Sequence, residues 1–82
     1  MSPSDQVRKY AYQHHILPAR IAKSPTVTFT SGQIHEALGF KDRLPCVCDA
    51  LATKKFEVTY GVKRMSITGP LQSTATTFTF SV

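Results

Sequence analysis

Residues 30–51 read TSGQIHEALGFKDRLPCVCDAL, and this stretch decides how the chain folds. Thr30 and Gln33 have the spacing of a capping box, in which each side chain satisfies a backbone N–H near the start of a helix. Ile34, Ala37 and Leu38 then recur at helical spacing and bury one side of a short helix. Gly39 stands where a left-handed residue ends a helix without steric cost, and Phe40 plugs the turn behind it. Asp42 is placed to cap a second helix. Pro45 falls in that helix's first turn, where the backbone N–H groups have no intrahelical partner anyway. Leu44, Val47, Cys48 and Leu51 form its inward stripe. The stretch therefore predicts two short helices separated by a glycine stop.

Working outward, Ser2, Pro3 and Asp5 mark the start of an N-terminal helix. Val7, Tyr10, Ala11 and His14 make its buried stripe, while Arg8, Lys9 and Tyr12 lie on the solvated side. The helix should weaken before Pro18, because the residue preceding a proline avoids helical angles. PARIAK, residues 18–23, gives a further turn that Ser24 and Pro25 close. TVTFT, residues 26–30, alternates Val27 and Phe29 with threonines and reads as a half-buried strand. Beyond Lys54 and Lys55 the period becomes two. Met65 and Ile67, then Phe78, Phe80 and Val82, mark two strands joined by TGPLQSTAT, residues 68–76, whose Gly, Pro and Ser/Thr content is turn chemistry. FEVTYGV, residues 56–62, fits either a strand or an ordered connection.

The order is helix, strand, helix, turn, helix and C-terminal hairpin. It resembles the winged helix-turn-helix superfamily over nearly the whole chain. TSGQIHEALGF, the inward Val47 and Leu51, and the hairpin KRMSITGPLQSTATTFTFSV (residues 63–82) carry the likeness. The resemblance implies one α+β winged-helix domain over residues 1–82. Its helix-turn-helix would span about residues 30–55 and its wing about residues 63–82. The first strand would join the hairpin in a small antiparallel sheet. One departure is the segment between Phe40 and Val47, which is about two residues longer than the usual turn and contains Pro45, so the second helix should enter at an unusual angle.

Composition bounds the function. At 82 residues the chain makes one domain and buries only about 60% of its unfolded surface. Ten Lys and Arg against five acids give a net charge of +5, which favours polyanions such as nucleic acid. No apolar run approaches the roughly 20 residues that span a bilayer, and the first residues lack an apolar signal region. Two cysteines without such a signal suit reduced thiols in the cytoplasm.

The resemblance sends the helix from Arg43 to about Lys54 into the major groove of double-stranded DNA. A helical wheel places Asp42, Cys46, Asp49 and Thr53 opposite the buried stripe, with Arg43 and Ala50 beside them. Among these only Arg43 offers a bidentate donor to guanine. Lys41, Lys54, Lys55, Lys63 and Arg64 border that helix as candidate phosphate contacts. Gln72, Ser73 and Thr74 in the wing loop can donate to phosphate oxygens, a contact that positions without specifying. The bland reading of these groups is a solvated basic rim and a polar turn. A second hypothesis is a protein-docking module, motivated by the small and acidic face of Asp42, Cys46, Asp49, Ala50 and Thr53. Arg20 and Lys23, just before the helix pair, are secondary candidates.

Cys46 and Cys48 lie about 200° apart on a helix, so they share neither a metal nor an unstrained disulfide. Cys48 reads as a core residue and Cys46 as an outward thiol. His14 reads as buried, His15 and His35 as exposed. No spacing suits structural zinc, and no glycine-rich loop cradles a phosphate. With its acids scattered over separate elements, the chain is expected to have no cofactor, no metal and no catalytic activity. It is either a monomer or a homodimer.

Overall fold

A computed structural model describes residues 2–70 and 73–82. The order is α1 (Pro3–Ala11), a π-helical segment (Tyr12–Ile16), α2 (Leu17–Ile21), β1 (Thr26–Thr30), α3 (Ser31–Ala37), α4 (Leu44–Ala52), α5 (Lys54–Tyr60), β2 (Lys63–Thr68) and β3 (Thr77–Ser81). The domain is α+β, with a three-stranded antiparallel sheet in the order β1-β3-β2.

The N-terminal helix does not weaken before Pro18. It changes hand-hold instead: Leu17 N–H bonds Tyr12 C=O, five residues back, and Pro18 sits in the first turn of α2. A π turn takes up one extra residue, which removes the conflict between a proline ring and the carbonyl four residues before it. It also resets the helical phase. Val7 and Ala11 are fully buried and so is Ile16, which a continuous α-helix would place about 180° from Val7. His14 is consequently exposed, contrary to the simple stripe. His15 is the half-buried histidine, stacked on Phe29 at 4.6 Å. Burial pushes the His15 pKa down, and neighbouring His14 adds to the shift. Two residues assigned to the solvated side are also packed. The Arg8 side chain is 12% exposed and ion-paired with Asp5 at 2.9 Å, and Tyr12 stacks on Tyr60 at 4.7 Å.

α3 forms as its residues dictate. Thr30 and Gln33 make the reciprocal capping box. Gly39 is left-handed at φ 67°. Its N–H bonds Glu36 C=O, and Phe40 N–H bonds His35 C=O, which completes a Schellman stop. The next helix starts differently from expectation. Asp42 does not cap α4; it adopts φ 52°, and Arg43 takes the cap position with no side-chain bond. The longer turn uses Asp42 in the left-handed region that Asp tolerates better than most residues, and His35 Nε2 accepts the Arg43 N–H at 3.2 Å.

The helix expected to run from Arg43 to Lys54 breaks at Thr53. Thr53 is extended (φ −79°, ψ 148°), and its hydroxyl donates to Ala50 C=O at 2.9 Å. Leu51 and Phe56 are five residues apart and would sit about 140° apart on one continuous helix. The break lets both be fully buried. Residues 56–62 thereby resolve as the body of α5 and its left-handed stop at Gly61, φ 65°. Arg20 closes that helix end, donating to Tyr60 C=O at 2.7 Å and Gly61 C=O at 2.8 Å.

The inner face of the sheet carries Phe29, Phe78 and Phe80, which pack with Phe56, Ile16, Ile34, Val47 and Leu51. Its outer face is lined with hydroxyls: the cross-strand rows Thr26–Ser81–Lys63, Thr28–Thr79–Ser66 and Thr30–Thr77–Thr68 hold a single charge. Met65, which alternates with Ile67 in the sequence, is looped out at a bulge between Arg64 and Ser66 and is 59% exposed.

Candidate nucleic-acid interface

The six candidate cations Lys41, Arg43, Lys54, Lys55, Lys63 and Arg64 are all exposed. They fall into two groups at opposite ends of α4. Lys41 and Arg43 occupy the turn before it, held by the bond from Arg43 N–H to His35 Nε2. Lys54 and Lys55 open α5 immediately after it, and Arg64 reaches the same joint. The Arg64 guanidinium donates to Ala52 C=O at 2.8 Å, satisfying a carbonyl that the end of α4 leaves open. Its backbone N–H bonds Glu57 Oε1 at 3.3 Å. Lys63 precedes it, on the sheet row shared with Ser81. The nine residues of α4 separate the two groups by about 13 Å along the helix.

Lys55 also lies within electrostatic reach of Asp5. The Ser2 hydroxyl bond holds the Asp5 carboxyl below the usual aspartate value, against desolvation, and Lys55 and Arg8 add to the lowering. The N-terminal turn of α1 is therefore a neighbour of the α4–α5 joint.

α4 itself presents little to a groove. It packs against α1 and α3, and Val47, Cys48, Ala50 and Leu51 are buried. Cys46 is half-buried, with its sulfur 3.6 Å from Ser4 Oγ. Thr53 is half-buried with its hydroxyl bonded to Ala50. Neither Cys46 nor Thr53 lies on an open reading face. The face Asp42–Cys46–Asp49–Ala50–Thr53 is likewise not continuous, because Ala50 is buried and Cys46 and Thr53 are half-buried. The single-turn wheel failed here because α4 is packed on two sides. What α4 leaves exposed is Pro45, Asp49 and Ala52, none of which donates to a base edge.

Residues 73–76, which lead into β3, dock on the start of α3. Ser31 N–H bonds Thr76 C=O at 2.9 Å, Gly32 N–H bonds Thr74 C=O at 3.2 Å, and the Ser31 hydroxyl donates to Ser73 C=O. With Gln33 N–H on the Thr30 hydroxyl, the first three helical N–H groups of α3 are all satisfied. The Ser73 hydroxyl donates to Pro70 C=O at 3.4 Å and accepts the Ala75 N–H at 3.1 Å. Ser73 is thus committed inside the loop, while Thr74 remains exposed. Gln72 lies outside the described residues.

Two features escaped sequence reading. Arg20 is a helix cap and not a free cation. Met65 and Val58 are exposed apolar side chains next to the junction cations. The strand bulge and the Thr53 break that create this arrangement leave no periodic signal. Among the described residues no group of three or more potential ligand side chains could hold a metal ion, and no helix is long and apolar enough to cross a membrane. The chain matches no protein-family model, no curated protein and no solved structure.

Proposed function

We propose that this protein is a winged-helix module that binds double-stranded DNA through its basic rim, as a regulator or as the DNA-binding part of a larger assembly. The observation that carries the reading is the exposure of Lys41, Arg43, Lys54, Lys55, Lys63 and Arg64 in two groups, one before α4 and one around the α4–α5 joint. A helix pair followed by a hairpin, with strand order β1-β3-β2, supports the same reading. In it, Lys41, Lys54, Lys55, Lys63 and Arg64 hold phosphates and Arg43 is the one candidate base contact. Sequence readout is weak, because the open face of α4 carries Asp49 and no donor.

Duplex affinity measured against salt tests the reading. Each neutralised phosphate contributes about −0.9 to the slope of log K against log salt, so Lys54→Ala/Lys55→Ala should flatten the slope by about 1.8. If wild type does not bind a duplex at about 50 mM salt, where non-specific electrostatic binding is strong, DNA binding is refuted.

A further inference from the structure

We infer that the contact with DNA is made by the α5–β2 edge on the minor-groove side, with Met65 as an apolar wedge between base steps. The inference rests on the DNA-binding reading and names the groove and the deformation.

Four observations lead to it. β2 is an outer strand, paired with β3 alone, so its other edge faces away from the sheet. Its bulge lifts Met65 out of register and leaves it 59% exposed directly after Lys63 and Arg64. Bulges re-aim side chains in this way, and Met is one of the residue types that enter base steps from the minor groove. The bulge is also fixed in place: the Arg64 guanidinium is tied to Ala52 C=O and its N–H to Glu57. Beside it, Lys54, Lys55 and Val58 share the open side of α5, at helical spacing, with Val58 74% exposed.

Groove dimensions separate this edge from α4. The minor groove is about 6 Å wide and an α-helix with side chains about 10–12 Å across, so only a strand edge or a side chain enters it. Cations beside an apolar wedge hold the phosphates while the wedge unstacks a step. α4 exposes Pro45 as an apolar side chain, but Asp49 lies one turn along the same helix and repels phosphate, and a helix is too wide for the minor groove. The exposed Ile21 is no equivalent, because it lies on a helix and not on a strand edge, and adjacent Arg20 makes two carbonyl bonds where Arg64 makes one.

The test uses the whole chain and a duplex with a fluorescent adenine analogue at a central TA step, which is easily unstacked. Wild type should bind and raise the fluorescence. Met65→Ala should lose about tenfold in affinity and most of the fluorescence rise, with an unchanged salt slope. Met65→Leu should restore both, since Leu is also a wedge residue. Lys63→Ala should keep the fluorescence change and flatten the slope by about 1. Salt-dependent binding without a fluorescence rise, or with a full rise in Met65→Ala, overturns the wedge and leaves the DNA reading standing. So does an equal loss in Ile21→Ala. No duplex binding, or binding only to vesicles of anionic lipid, overturns both together.

Discussion

Gly32→Ala should destabilise this protein, although the same change in an open helix would stabilise it. Gly32 is the second residue of α3, and replacing glycine by alanine inside a helix ordinarily gains about 0.5–1 kcal/mol. A Cβ here, however, would lie 2.6 Å from Thr74 O and 2.9 Å from Thr74 Cβ. The nearest atom is backbone, so no rotamer relieves the overlap and the β2–β3 loop must move. Displacing it breaks Gly32 N–H to Thr74 C=O, Ser31 N–H to Thr76 C=O and Ser31 Oγ to Ser73 C=O. At about 1 kcal/mol each, those losses exceed the helical gain by about 2 kcal/mol. For a domain of this size that corresponds to a fall of roughly 8–16 °C in Tm. Circular dichroism melts of wild type and variant measure it, and amide exchange at residues 31 and 32 should quicken while the rest of α3 stays protected. Gly32→Ala/Thr74→Gly should not recover the loss, because the closest clash is with the carbonyl oxygen. An unchanged or raised Tm for Gly32→Ala would mean that the loop is not docked on α3.

Other consequences follow from single contacts. Arg20→Ala removes the cap on α5 and should cost about 2 kcal/mol in urea denaturation, with Arg20→Lys intermediate because both bonds come from one guanidinium nitrogen that a more strongly hydrated ammonium replaces incompletely; equal stability of all three proteins would remove the cap from the account. The folded-state pKa of His15 is lowered, so the unfolded chain binds more protons between the two values. Its contribution is full above the unfolded pKa of about 6.5 and is lost as pH falls through the folded value. Tm should therefore drop from pH 7.5 to 5, and less so in His15→Phe; identical pH profiles would contradict the assignment. Cys48 is 7% exposed and Cys46 half-buried, so thiol labelling of the native protein should modify Cys46 first and Cys48 only at the rate of unfolding.

Local chemistry made some elements legible and left others hidden. The capping box of Thr30 and Gln33, the Gly39 stop and the Val27–Phe29 and Phe78–Phe80 alternations each involve residues within a few positions of one another, so their physics is complete in the sequence. Asp42 was misread for a related reason: an Asp before an apolar run is an ordinary cap, and only the length of the turn forces it into the left-handed region. The candidate cations were legible as residues because charge resists burial. Which of them are already engaged was not, since the carbonyl partners of Arg20 and Arg64 lie 40 and 12 positions away.

The sequence by itself determined the secondary-structure alphabet, the aromatic core and the surplus of positive charge, because propensity, periodicity and ionisation are properties of short segments. Tertiary structure decided the phases. Burying Ile16 together with Val7 required a π turn, and burying Phe56 together with Leu51 required a break at Thr53. Packing α4 against both α1 and α3 buried Ala50 and half-buried Cys46, while the β2 bulge put Met65 into the surface. A helix or strand has one intrinsic period, and where the core needs side chains off that period the backbone yields. Here that yielding also chose which side chains remain to meet a partner.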